Sequence, residues 1–316
     1  MTTIRVDPIA PLPRERYVYG SDGTRLYVRS RSGPQSSGAS GASGASVSAA
    51  AGPRAIFCDG ILCDGYIWKY LWAAVAAQLP VAHWHYRGHG RSSPPADHAR
   101  VHVADHADDL NRVRGAFPGE SALLFGHSMG CQVALEAYRA RPEGVRGMVL
   151  LCGTFGRLTE TFYNSRLLAR ALPGVVRRVD ASPRLARALW SRVPPDVAYQ
   201  LALWTGQLDP RTIRRDDVMP YLRHMTHVDL PLFLNMLQAA GEHDAEDVLE
   251  HVECPTLVVA GERDSFTPPR LAQQMAERMP NAEFFLVPGG THAAPLEQPD
   301  LIDERVLDFL RRRVTA

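Results

Sequence analysis

Short apolar runs alternate with longer amphipathic stretches along most of the chain. The apolar runs cover residues 55–58, 81–85, 122–125, 147–152, 256–260 and 284–287. The other stretches repeat apolar residues with the helical period and cover residues 66–79, 101–117, 129–140, 270–278 and 300–312. Strands that alternate with helices form right-handed βαβ units, in which the strands run parallel. We therefore predict an α/β fold with a mostly parallel sheet and helices on both of its faces.

An antiparallel hairpin is predicted ahead of this pattern. Two β-prone segments, residues 17–19 and 24–28, flank the turn sequence Ser21-Asp22-Gly23, and an Asp-Gly turn in this position is typical of a hairpin. With the hairpin, the predicted sheet has eight strands. Residues 32–53 consist mostly of Gly, Ser and Ala, a composition that buries little surface and predicts a flexible loop.

The alternation of strands and helices stops between residues 154 and 253. This stretch is rich in Leu, Arg, Ala and Trp, shows no clear strand, and contains prolines at positions 194, 195, 210 and 220. It predicts several helices inserted after strand six. We therefore expect a sheet core formed by residues 1–153 and 254–316, covered at one edge by a helical cap of residues 154–253.

Composition and charge exclude several classes of protein. The 316 residues carry 35 basic and 34 acidic side chains, so no overall basic field is present for nucleic-acid binding. The five cysteines lack zinc-ligand spacing. No apolar signal core or run of about 18 apolar residues occurs. We expect a cytoplasmic protein that binds neither nucleic acid nor membrane, as a monomer or homodimer.

The segment Gly126-His127-Ser128-Met129-Gly130 is the most informative motif. It has the form G-x-S-x-G, follows an apolar strand and precedes a helical pattern, which is the context of a nucleophile elbow. The sharp strand-to-helix turn holds the serine in a strained conformation, and glycines on either side prevent steric clashes. The helix N-terminus then favours negative charge that develops beside the Ser128 hydroxyl.

A serine hydroxyl needs a general base, and the base needs a third group to orient it. His292 follows the late strand at residues 284–287, and Asp264 follows the strand that ends at Ala260. Catalytic groups in parallel sheets lie beyond the carboxyl ends of strands, as these three residues do. Their order along the chain, Ser128, Asp264, His292, is also that of the α/β-hydrolases.

These motifs make the chain resemble the α/β-hydrolase superfamily over nearly its whole length. Further segments that match the family are Asp59-Gly60-Ile61-Leu62, Tyr86-Arg87-Gly88-His89-Gly90-Arg91-Ser92, Asp105 to Leu110, and Glu297-Gln298-Pro299. The group it resembles most includes capped esterases, lactonases, carbon–carbon-bond hydrolases and cofactor-free perhydrolases. The resemblance implies an oxyanion hole formed by the backbone N–H groups of Ile61 and Met129.

The chain departs from the family at two positions. The family usually has His at position 59 and Asp at position 85, whereas this chain has Asp59 and His85. One interpretation is an exchanged carboxylate–imidazole pair that holds the oxyanion loop, and the other is two unrelated substitutions. A free carboxylate at position 59 would oppose catalysis, so we expect it to point away or to be neutralised, for instance by Arg87.

The same resemblance implies a serine hydrolase that cleaves a carboxylic ester, a lactone or a thioester. The alternatives are a perhydrolase or carbon–carbon-bond hydrolase with the same triad, and a ligand receptor with little turnover. Histidine pairs at positions 83/85 and 102/106 lack a third ligand, and no dinucleotide or Walker motif occurs. We therefore expect no metal and no cofactor. Apolar cap residues predict a substrate with a hydrophobic portion, and the candidate contacts are Trp190, Trp204, Met225 and Phe233.

Overall fold

The computed structural model describes residues 13–34, 52–162 and 165–315. These residues form one eight-stranded sheet with the strand order β1-β2-β4-β3-β5-β6-β7-β8. The strands are Arg14–Tyr19, Arg25–Arg31, Arg54–Cys58, Val81–Trp84, Ala122–His127, Val145–Leu151, Thr256–Gly261 and Ala282–Val287, numbered β1 to β8 in chain order. β2 is antiparallel to both of its neighbours, and all other neighbouring strands are parallel. The predicted fold class and the predicted hairpin are confirmed.

Helices cover both faces of this sheet. They are Leu71–Ala76, Val103–Gly115, Met129–Ala140, Leu158–Thr161, Leu167–Ala181, Pro183–Trp190, Pro195–Trp204, Arg215–Met225, Leu230–Glu242, Pro269–Arg278, Ala294–Glu297 and Pro299–Arg313, numbered α1 to α12. Two further segments, Tyr66–Trp68 and Glu246–His251, are 3-10 helices.

The two faces of the sheet carry separate hydrophobic cores. Along β3, Ile56 and Cys58 pack into one core, and Ala55 and Phe57 pack into the other. Side chains alternate between the faces of a strand, so a strand buried on both sides is apolar throughout. This is why the central strands are visible in the sequence as continuous apolar runs.

The segment between β6 and β7, residues 154–253, is called the cap segment below. Its described residues form α4 to α9, with an isolated bridge between Gly156 and Asp244. Backbone hydrogen bonds from Ala245 to Phe155 and from Arg157 to His243 close its base. The division into core and cap domains, with the boundaries given above, stays a prediction.

Two sequence-based expectations concern mobility and membranes. Most of the predicted flexible loop, residues 35–51, lies outside the described residues. No helix among the described residues combines the length and the apolar character that a bilayer-spanning helix requires.

Candidate active site

The serine of the G-x-S-x-G motif lies at a sharp turn between β5 and α3. Ser128 has a φ of 56° and a ψ of −121°, a conformation that non-glycine residues rarely adopt. A Cβ atom at Gly126 would lie 2.5 Å from the carbonyl oxygen of Gly130, and one at Gly130 would lie 2.3 Å from that of Cys58. Only glycine therefore lets the strand, the turn and the neighbouring loop approach so closely.

A buried carboxylate orients the candidate base. Asp264, after β7, places Oδ2 2.8 Å from Nδ1 of His292, after β8. The carboxylate also accepts hydrogen bonds from the backbone N–H groups of Phe266 and Thr267 and from the Thr267 hydroxyl, at 2.8–2.9 Å. Because Asp264 is fixed by these donors, it holds the tautomer in which Nδ1 of His292 carries the proton. Nε2 is then free to act as a base.

Ser128 and His292 line the same cavity. Among the described residues, no hydrogen bond joins the Ser128 hydroxyl to the imidazole. Proton transfer requires a separation of about 2.6–3.2 Å, and such contacts commonly tighten only when substrate binds. The structure therefore brings the three predicted triad residues to one site, with the Asp264–His292 pair already formed.

His127 joins the elbow to the loop that carries His292. Its Nε2–H donates to the backbone carbonyl of His292 over 3.0 Å, and the two ring centroids are 4.9 Å apart. Burial lowers the pKa of His127 to about 3, so its ring is neutral. On the other side of His292, the ring of Phe266 stacks at 4.9 Å. Neither contact was predicted from the sequence, although His127 lies within the motif.

The loop after β3 packs directly on the elbow. A Cβ atom at Gly60 would lie 3.0 Å from the Ser128 Cβ. Leu62 has a positive φ of 65°, and its N–H donates to Nε2 of His89 over 3.3 Å. This arrangement supports the Ile61 and Met129 amides as oxyanion donors, since no acceptor within the described residues occupies either N–H group. His89 was not among the predicted supporting residues.

The predicted pairing of Asp59 with His85 is wrong. Asp59 Oδ2 lies 2.8 Å from Nε2 of His83, and Oδ1 accepts the indole N–H of Trp68 over 2.7 Å. All three side chains are buried. The Tyr86 hydroxyl donates to the backbone carbonyl of Asp59 over 2.7 Å. The Asp59 carboxylate is therefore bound by buried partners, but not by the predicted ones.

The turns that follow β3 and β4 explain why Asp59 does not pair with His85. β3 ends at Cys58 and β4 ends at Trp84, so Asp59 and His85 lie beyond the paired register. The Nδ1 atom of His85 instead accepts the backbone N–H of Arg91 over 2.8 Å.

The proposed neutralising role of Arg87 is also wrong. Its guanidinium makes two hydrogen bonds to Asp109, of 2.6 and 2.8 Å, and one of 3.0 Å to Asp22. Burial raises the pKa of Asp59 to about 6, and it lowers the pKa of His83 well below its ordinary value. His83 is therefore neutral and donates to the Asp59 carboxylate.

A cavity of about 480 Å³ lies between the elbow and the cap segment. Its described lining is mostly aliphatic and aromatic and includes no Asp, Glu, Lys or Arg. Met225 and Phe233, two of the predicted substrate contacts, line it. Trp190 and Trp204 are not among the lining residues: Trp190 stacks on Phe233 at 5.8 Å, and Trp204 is 84% exposed.

A buried glutamate links the base to the cap segment. Glu297 accepts hydrogen bonds from the backbone N–H and the hydroxyl of Thr291, and from the backbone N–H of Asp209, all at 2.8 Å. Thr291 immediately precedes His292, and Asp209 belongs to the cap segment. Glu297 therefore fixes the position of the imidazole relative to the cavity wall.

Comparison with known proteins concerns the fold and the family of the chain. A model of the alpha/beta hydrolase fold matches residues 54–299. Polyketide synthase ThaQ of Burkholderia thailandensis is 30% identical over 269 residues, which are 84% of this chain but only 12% of the synthase. "Putative carbamate hydrolase RutD" of a Caulobacter species is 26% identical over 259 residues, covering 81% of this chain and 89% of the relative.

Solved structures show the same fold. A thermophilic esterase from Thermogutta terrifontis superposes with a TM-score of 0.70 at 20% identity, over 95% of this chain and 98% of the esterase. The enol-lactonase from Burkholderia xenovorans also has a TM-score of 0.70, at 18% identity, over 94% of this chain and all of that chain. The family model spans most of the chain, and strands β3 to β8, the elbow and the Asp264–His292 pair lie within it. The chain therefore belongs to the α/β-hydrolase fold family.

Proposed function

We propose that this protein is a serine hydrolase that cleaves an uncharged, ester-type substrate through an acyl-enzyme on Ser128. One observation carries the proposal: a strained serine and an Asp-oriented histidine line the same apolar cavity. A strained backbone that the surroundings hold in place is characteristic of functional sites. The carboxylic ester is the preferred substrate, and lactones and thioesters share the chemistry.

The proposed reaction has two acyl-transfer steps. Nε2 of His292 takes the hydroxyl proton as Oγ of Ser128 bonds to the carbonyl carbon, and the carbonyl electron pair moves to oxygen. The N–H groups of Ile61 and Met129 stabilise this oxyanion. The intermediate collapses, the bond to the leaving group breaks, and His292 protonates that group. A water molecule, deprotonated by His292, then releases the acid and regenerates Ser128.

The lining of the cavity supports an apolar acyl group. Burying an unpaired charge in such a site is unfavourable, and the described lining has no charged side chain to pair with one. A water molecule takes about 30 Å³ in the liquid, and a methylene group is of similar size. At that volume per group, the 480 Å³ cavity accommodates on the order of 16 non-hydrogen atoms.

The carbamate hydrolases among the relatives raise a second substrate class. A free carbamate is an anion at neutral pH, and the described cavity wall offers it no Lys or Arg. A carbamate ester is neutral and reacts by the same acyl transfer. The structure therefore favours neutral esters, with carbamate esters as the related class to test.

Covalent labelling tests the nucleophile. Wild-type protein should react with a fluorophosphonate probe, and Ser128→Ala should not, whereas the surface control Ser191→Ala should label normally. Undiminished labelling of Ser128→Ala would show that another residue is the nucleophile. Binding of an ester without release of its alcohol would favour a receptor over an enzyme.

A chain-length series tests the substrate class. With p-nitrophenyl esters, kcat/KM should rise with acyl length until the cavity is full, at roughly eight to twelve carbons by the volume argument. Ala202→Phe narrows the cavity and should shift the optimum to shorter chains. Ala181→Phe, on the exposed side of α5, is the matched control and should leave the profile unchanged. A preference for acetate in the wild type would contradict the cavity argument.

A further inference from the structure

The outer surface of the cap segment exposes an unusual set of apolar side chains. Seven of the ten exposed large apolar side chains among the described residues lie on α5, α6 and α7: Leu167, Val175, Leu185, Leu189, Val197, Leu201 and Trp204. Trp204 is 84% exposed and Leu167 is 72% exposed. Soluble proteins seldom cluster such residues in the absence of a partner. We call this set the cap patch.

The cap patch follows the helical period. Leu185 and Leu189 are four residues apart on α6, and Val197, Leu201 and Trp204 follow the i, i+4, i+7 spacing on α7. Residues with this spacing lie on one face of a helix. Helices α6 and α7 therefore each present an apolar stripe to solvent. A helix that lies in a membrane interface has the same arrangement.

Arginines accompany the apolar residues. Residues 166–192 contain seven arginines and one acidic residue, Asp180. Arg166 pairs with Glu160 and Arg187 with Asp229. Within the part of the chain that the structure describes, the remaining five have no acidic partner: Arg170, Arg177, Arg178, Arg184 and Arg192. Helices α5 and α6 therefore carry exposed apolar side chains together with unpaired cationic ones, although the whole chain has a net charge of only +1.

The cap patch adjoins the opening of the active-site cavity. Leu201 lines the cavity and is also 56% exposed, so it lies at the boundary between the cavity and solvent. On α5, Leu168 lines the cavity and its neighbour Leu167 points outward. An apolar molecule could pass from a surface that covers the patch into the cavity without crossing bulk water.

We infer that the cap patch docks on an anionic phospholipid surface. A bilayer matches both the cationic and the apolar side chains of the patch. Its phosphates pair with arginine, and its acyl region takes up Leu and Trp side chains. A second copy of the chain is disfavoured, because two such faces would bring the same unpaired arginines together. The absence of a spanning helix led us to expect no membrane partner, but this surface contact does not need one.

Vesicle sedimentation tests the inference independently of catalysis. Wild-type protein should partition onto phosphatidylglycerol vesicles, bind phosphatidylcholine vesicles more weakly, and dissociate in high salt. Each arginine near an anionic surface contributes roughly fivefold to binding. Arg177→Gln/Arg178→Gln should therefore lower partitioning by roughly 25-fold. Arg141→Gln/Arg146→Gln, which removes two exposed charges from the core surface, should change it little.

Tryptophan fluorescence reports the orientation of the bound protein. The emission should shift to the blue on vesicles, and Trp204→Phe should abolish that shift while retaining most of the binding. Turnover of a short soluble ester by the arginine variant should equal that of the wild type, which shows an intact fold.

Four results would overturn the inference. One is no binding to anionic vesicles. Another is equal loss of binding in the two arginine double variants. The third is a wild-type dimer in light scattering that Trp204→Ser dissociates, because it would assign the patch to a second copy. Binding of soluble polyglutamate as tightly as vesicles, with no blue shift, would likewise assign it to an acidic protein.

Discussion

Replacing His83 with Phe should destabilise the protein by leaving the buried carboxylate of Asp59 under-solvated. The replacement keeps a planar ring of similar size but removes the donor at 2.8 Å, so that only the Trp68 N–H remains. Removing one partner of a buried ionic or hydrogen-bonded pair typically destabilises a protein by about 3–5 kcal/mol. At about 2–4 °C per kcal/mol, Tm should fall by roughly 6–20 °C.

The sign of the pH dependence follows from Asp59. Burial raises its pKa from 3.8 to about 6, so between these values the folded state holds a proton that the unfolded state has lost. The stability contributed by that proton is present at acid pH and is lost as pH rises through about 6. A carboxylate that lacks its His83 donor is harder still to ionise. The loss of unfolding free energy caused by His83→Phe should therefore be larger at pH 8 than at pH 5.

Calorimetry at both pH values, together with kcat/KM, provides the assay. The set comprises His83→Phe, Asp59→Asn, the double variant and the exchange variant Asp59→His/His83→Asp, with the exposed His98→Phe as the control. We expect a coupling of about 0.5–3 kcal/mol between positions 59 and 83 and partial recovery in the exchange variant. A Tm change below about 2 °C, a deficit independent of pH, or strictly additive effects would refute the reasoning.

Asp264→Asn should lower kcat by roughly 10³–10⁴-fold, because His292 loses the anion that sets its tautomer; a loss below tenfold in steady-state kinetics would move the role to another carboxylate. Gly130→Ala should abolish most of the activity, since its Cβ would lie 2.3 Å from the Cys58 carbonyl oxygen and displace the oxyanion loop; a soluble variant with wild-type turnover would contradict that clash. Deleting Ser36–Ala49 should change Tm little, because closure entropy varies by about 0.6 kcal/mol per doubling of loop length; a large drop would show that the segment packs against the fold.

Local steric requirements explain what could be predicted at the active site. Gly126 and Gly130 flank Ser128 because no other residue fits that turn, so the motif itself implies the elbow. Asp264 and His292 follow apolar strands, and the carboxyl ends of parallel strands meet at one edge of a sheet. The sequence pattern alone was therefore enough to bring three distant residues together.

The partner of Asp59 was decided only by tertiary structure. Asp59 and His85 lie past the ends of their strands, where the paired register no longer dictates which side chains meet. The path of each turn then selected His83 and Trp68 as partners. The supporting contacts from His89 and His127 arise in the same way, from loops that meet through folding rather than through spacing.

In the cap segment, too, the sequence predicts the elements and the tertiary structure decides their contacts. Apolar spacing in the sequence is enough to predict helices there, and α4 to α9 are present. The spacing does not reveal which apolar face of each helix meets the cavity and which meets solvent. Met225 and Phe233 line the cavity beside Ser128, whereas Trp204 lies on the outside. Helical periodicity defines a face, but only the packing of one helix against another determines what that face contacts.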